Sequence, residues 1–226
     1  YLDNQGCLHI YGAVKAALDS NGVYFPWDIY KEQIQTVVTE EGASVDTCEN
    51  MFKDCVNLTS ADLSHLDTSK VGSMSWMFSG CRSLAHVDVS NFDTTNVEYM
   101  IDMFDNCRKL CELDLSSFRA IDDGVWMDGM FGGCGRLYSL KIGNFSPLIA
   151  YTEYMFFGCV SLSELEISDI VLMGDAEYDL RTADELLSLS PVWVGADGTV
   201  YTDAGEMINN GGAVALTRFA CDLNND

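Results

Sequence analysis

Five times the chain spells one octet: MFKDCVNL (Met51 to Leu58), MFSGCRSL (Met77 to Leu84), MFDNCRKL (Met103 to Leu110), MFGGCGRL (Met130 to Leu137) and MFFGCVSL (Met155 to Leu162). Met, Phe, Cys and Leu keep their places while the residues between them change. The octet cysteines follow one another at steps of 26, 26, 27 and 25 residues. A fixed period of this length marks a solenoid, in which each unit buries its apolar face only by stacking on the next. A chain of 226 residues is long enough to bury a sizeable core this way.

Within one unit, Leu84, Val87 and Val89 fit the spacing L-x-x-L-x-L. The equivalents are Leu58, Ala61 and Leu63; Leu110, Leu113 and Leu115; Leu137, Leu140 and Ile142; and Leu162, Leu165 and Ile167. Alternation around Val87-Asp88-Val89 predicts a short strand with one buried face. Val71, Met74, Met77, Phe78 and Cys81 then recur at three- and four-residue intervals, which predicts a returning helix of about two turns. The expected fold is therefore α/β: a leucine-rich-repeat solenoid, a right-handed β-α superhelix with a parallel sheet on its concave face, capped at both ends. Three residues beyond the last strand position stand Leu66, Phe92, Phe118, Phe145 and Ile170, an apolar spine where such repeats usually carry Asn or Cys. Asp67-Thr68 and Asp93-Thr94 read as turn residues that bond their own backbone.

A cysteine held at one place could mean metal ligation, a disulfide ladder or packing. The total of nine is odd, and the nearest pair in the column region, Cys107 and Cys111, lacks the C-x₂-C spacing of a zinc site. Cys55, Cys81, Cys107, Cys134 and Cys159 are read as a column of small buried side chains, with no metal and no cofactor. A disulfide between neighbouring coils stays open, because stacked strands lie about 4.8 Å apart.

Solenoid ends need covers. Residues 1–33 are expected to form an opening cap, 34–170 the solenoid with about six strands, and 171–226 a closing cap. Trp27 stands seven residues before Ile34, as Met77 stands seven before Leu84, so the opening cap places a large apolar group where later coils use Met. In the closing cap, Thr182 to Ser190 predicts a short helix. Asp197-Gly198 between VWV and TVYT predicts a hairpin, and the end of the chain adds one strand.

Twelve basic residues against 35 acidic ones give a net charge of −23. Phosphate binding depends on Lys and Arg, so nucleic acid is excluded as a partner. An anionic membrane surface would repel such a chain, and no apolar run approaches the length needed to insert into one. The outward strand positions are the candidate binding residues: Asp62 and Ser64; His86, Asp88 and Ser90; Glu112, Asp114 and Ser116; Lys141; and Glu164 and Glu166. Asp62, Asp88 and Asp114 are expected side by side. At about 5 Å in water each adjacent pair repels by roughly 0.8 kcal/mol, which cations or a basic ligand would relieve. Solvation of an exposed sheet is the plainer reading of the same carboxylates. The three histidines, His9, His65 and His86, lie in no catalytic motif, and the chain is read as a non-enzyme.

MFKDCVNLTSADLSHLDTSKVGSM (Met51 to Met74) closely resembles the repeat MFxxCxxLxxLDLSxFDTSxVxxM of the BspA-like leucine-rich-repeat proteins of bacterial cell surfaces. GCLHIYG (Gly6 to Gly12) and VWVGADGTVYTDAGEM (Val192 to Met207) are similar to the flanks of such arrays. The resemblance implies an extracellular or surface-attached, non-catalytic protein. Its acidic concave face would bind a protein or glycan, as an adhesion module. The alternative is a spacer that presents another part of a larger surface protein. A monomer is the expected state.

Overall fold

The computed structural model describes residues 1–20, 22–119, 124–143, 149–167, 171–173, 193–195, 200–201 and 214–218. The chain winds as a β-solenoid of stacked parallel strands. Cys7–Ile10, Thr36–Thr39, Ser60–Asp62 and His86–Asp88 pair in parallel in that order. Glu112–Leu115, Ser139–Ile142 and Glu164–Ile167 form a second parallel set. Val214–Arg218 adds to its last strand antiparallel, followed by Trp193–Gly195 and Val200–Tyr201. The predicted hairpin and final strand are therefore present, whereas the helix predicted over 182–190 lies outside the described residues. Cys7–Ile10, within the predicted opening cap, is itself a rung of the first set. A second wall of each coil carries shorter parallel pairings. These join Ala13–Val14 to Ser44–Val45, and Val125–Trp126 through Ile149–Tyr151 to Val171–Met173.

The expected α/β class is overturned on the third wall. Among the described residues there is no α-helix, and the one helical segment is a 3₁₀ turn at Asp28–Tyr30. From Met74 to Leu84 the amides divide their bonds between two directions. Met74, Trp76, Phe78 and Gly80 donate to the carbonyls of Tyr99, Ile101, Met103 and Asp105 on the next coil, at 2.8, 2.8, 2.9 and 2.8 Å. Met77, Ser79, Cys81 and Leu84 instead close turns three residues back. An α-helix would send every one of these donors four residues back along its own segment. Left-handed residues impose the change. Positive φ recurs four residues apart in each coil, at Asn50 and Asp54, Trp76 and Gly80, Asp102 and Asn106, Gly129 and Gly133, and Tyr154 and Gly158. Two such residues per coil, one just before each octet and one inside it, are incompatible with a right-handed helix. The three- and four-residue apolar spacing survives because successive tight turns also bring those side chains inward.

The interior is built from columns. Trp27, Phe52, Phe78, Phe104, Phe131 and Phe156 stack with centroid separations of 6.0, 5.5, 5.4, 6.1 and 5.8 Å. Trp27 thus joins the phenylalanine column, with Phe25 stacked on it at 5.0 Å, and does not take a methionine's place. Its indole N–H donates to the Met51 carbonyl at 2.8 Å. Met51, Met77, Met103, Met130 and Met155 are buried alongside. Leu66, Phe92 and Phe118 form the apolar spine, with the two rings stacked at 6.3 Å; Phe145 and Ile170 lie outside the described residues.

The five column cysteines are all buried and all free thiols. Each of the last four donates its S–H to a phenylalanine carbonyl of the preceding coil: Cys81 to Phe52 at 3.1 Å, Cys107 to Phe78 at 3.3 Å, Cys134 to Phe104 at 3.1 Å and Cys159 to Phe131 at 3.0 Å. Beyond filling space, the cysteine gives a buried carbonyl a second partner.

Candidate functional site

The strand wall is where the sequence places its binding residues, and all eleven are exposed. Strand geometry explains this: alternate residues point to opposite faces, so Ala61, Leu113 and Leu140 enter the core while their neighbours face solvent. Register sets the neighbours. Asp62 lies beside Asp88, and Ser60 beside His86. Glu112, Ser139 and Glu164 form one row, and Asp114, Lys141 and Glu166 another.

The three aspartates do not form one continuous row. Among the described residues, no strand pairing joins His86–Asp88 to Glu112–Leu115. The carbonyls of Thr59, Cys111 and Tyr138 each accept two amides of the next coil, those of Ala85 and His86, Tyr138 and Ser139, and Ser163 and Glu164, whereas among the described residues the equivalent Ala85 carbonyl accepts none from the next coil. The turn wall stays joined at this level, through Phe78 to Met103 and Gly80 to Asp105. Val87 is partly exposed at the interruption, unlike its buried equivalents Val37, Ala61 and Leu113. An open trough of about 1090 Å³ straddles this level, lined on one side by Asp62, His86 and Asp88 and on the other by Glu112, Asp114 and Lys141.

The aspartates also hold turns. Asp62 Oδ1 accepts the Ser64 amide at 3.1 Å, Asp88 Oδ1 the Ser90 amide at 3.0 Å, and Asp114 Oδ1 the Ser116 amide at 2.9 Å. The Ser64 hydroxyl and amide hold the Asp62 carboxyl below the usual carboxylate range, and Ser116 does the same for Asp114. Asp67 and Asp93 turn the chain by the same device, accepting the amides of Ser69 and Thr95. Lys141 bridges to Glu166 at 3.3 Å, and the Tyr138 hydroxyl donates to Glu112. Among the described residues, one lysine therefore stands among six carboxylates on this wall.

Further lining residues were not singled out by the sequence. Thr36 and Val38 extend the trough toward the opening coil, and Ser117 lines it with a buried hydroxyl that has no partner within the protein. The alternation that located the other strands, run one coil earlier, would have found the first two. Cys111, outside the thiol column, is partly exposed and points its sulfur at the Lys109 carbonyl at 3.5 Å.

Residues 28–145, a little over half the chain, match the model of a family described as "Mycoplasma protein of unknown function, DUF285". No curated protein and no solved structure matches the chain.

Proposed function

The chain belongs to the DUF285 family, and from the geometry of the strand wall we propose that it is a non-catalytic interaction module that takes a cationic partner, a basic protein segment before a glycan, in its acidic trough. The supporting observation is the imbalance of charge there. Asp62, Asp88, Glu112, Asp114, Glu164 and Glu166 face solvent with only Lys141 among them, on a chain of net charge −23. Complementary charge would speed encounter and set orientation more than it would add affinity. The octet's resemblance to BspA-like surface proteins supports an extracellular or surface location and an adhesive role.

A second reading has its own support. Asp62, Asp88 and Asp114 each satisfy a turn amide, so their presence follows from local structure without any ligand. On that reading the solenoid is a spacer within a larger surface protein.

One variant separates the two. Asn keeps the side-chain oxygen that accepts the turn amide and removes only the charge. The triple change Asp62→Asn, Asp88→Asn, Asp114→Asn is expected to leave the melting temperature nearly unchanged. It should weaken binding of a lysine-rich peptide at least tenfold by calorimetry and reduce the salt dependence of that binding. Equal binding by both proteins, or none by either, would favour the spacer.

A further inference from the structure

Outside the trough, the opening coil gathers a thiol, an imidazole and a carboxylate. Asp3, Cys7 and His9 are all partly buried, and their ligating atoms lie within 4.8 Å of one another. Local structure brings them together. Cys7 and His9 are alternate residues of the strand Cys7–Ile10 and share a face. The preceding segment doubles back on that strand, with Leu2 bridged antiparallel to Leu8 and the His9 amide bonded to the Tyr1 carbonyl at 2.8 Å. This fold-back sets Asp3 against the same face.

Each group is also oriented. Asp3 Oδ1 accepts the amides of Gln5 and Cys7 at 2.8 and 2.9 Å, while Oδ2 lies 3.7 Å from His9 Nε2. Glu40, on the next coil, meets the other ring nitrogen, Nδ1, at 3.3 Å. The Tyr1 ring stacks on the imidazole at 4.6 Å. A carboxylate on one imidazole nitrogen, with a second carboxylate 3.7 Å from the other and a thiol within 4.8 Å, matches the outer-shell arrangement that fixes metal-binding histidines. An Asp–His ion pair alone would have no use for the thiol.

We propose that Asp3 Oδ2, Cys7 Sγ and His9 Nε2 form a site for a thiophilic divalent cation of the Zn²⁺ class, with Glu40 as the positioning residue on His9. Ligand bonds of about 2.0–2.3 Å put tetrahedral ligands roughly 3.3–3.8 Å apart, so the cluster contracts by about an ångström on binding. Cys7 binds as thiolate, its proton passing to solvent. A solvent molecule takes the fourth position. The bound ion ties the fold-back segment to the first rung of the solenoid, and through His9 and Glu40 to the second coil.

Cobalt(II) titration of the full chain, kept reduced, tests this. The expected result is one equivalent of Co²⁺ per chain, with a thiolate charge-transfer band and the visible bands of a tetrahedral site, displaced by Zn²⁺. Cys7→Ser should abolish the charge-transfer band and His9→Ala should weaken binding at least tenfold. Glu40→Gln should weaken binding about tenfold or more with the band retained. Cys111→Ser, which removes a partly exposed thiol elsewhere, should change nothing. Circular dichroism of each variant confirms the fold. A folded wild-type chain that gives no saturable band, or a band lost in Cys111→Ser and kept in Cys7→Ser, would overturn the proposal.

Discussion

Cys81, Cys107, Cys134 and Cys159 each bury a sulfur that donates to the phenylalanine carbonyl of the preceding coil. Burial pushes these thiols up, Cys159 to about 12, and does the same to Cys55, also to about 12. The folded chain therefore keeps protons that the unfolded chain releases above the ordinary thiol value of 9.0. With the folded value raised, the stabilisation is complete below pH 9.0 and is lost as pH rises toward about 12. The midpoint of urea unfolding should stay level up to about pH 9 and fall above it. The double variant Cys81→Ala, Cys107→Ala should be less stable at neutral pH by about 2–4 kcal/mol, from lost thiol bonds and small cavities. It should also show a shallower alkaline fall, whereas equal slopes in the two proteins would refute the assignment. That these residues are internal was legible from their spacing. That they act as donors was not, because a hydrogen bond to another coil's backbone leaves no trace in the pattern of one coil.

At the scale of the element, the returning segment is a ladder of turns that the apolar spacing disguises as a helix. Intervals of three and four residues fit both, since each brings the same side chains to one face. The distinguishing signal lay beside them. The residue before each octet cysteine is Asp54, Gly80, Asn106, Gly133 or Gly158, the residue types that best tolerate positive φ. The concave-face strands were easier to read, because two-residue alternation has no competing interpretation and the buried and exposed positions fell as the pattern required except at Val87, which the interruption leaves partly exposed. Gly80 tests the turn assignment. Its φ is +77°, and a Cβ there would stand 2.4 Å from Asp54 Oδ1. Gly80→Ala should lower stability by about 1–2 kcal/mol or more, whereas in a helix the same change would stabilise by up to about 1 kcal/mol. Chemical denaturation reads the sign directly.

For the whole molecule, columns that run through every coil make stability a sum of coil-to-coil contacts. Phe104 is central, fully buried between Phe78 and Phe131 at 5.4 and 6.1 Å. Phe104→Ala should cost about 3–5 kcal/mol in denaturant unfolding. A loss under 1 kcal/mol would mean that the coils do not share one interior. The trough was half legible at this scale: the acidic positions followed from alternation, but the interruption between His86–Asp88 and Glu112–Leu115 follows from how coils stack. The central claim is that neighbouring coils are joined backbone to backbone along the turn wall, and through-hydrogen-bond NMR couplings measure this most directly. The account predicts couplings from the amide nitrogens of Met74, Trp76, Phe78 and Gly80 to the carbonyl carbons of Tyr99, Ile101, Met103 and Asp105. Couplings from those amides to carbonyls four residues back in their own coil would contradict it.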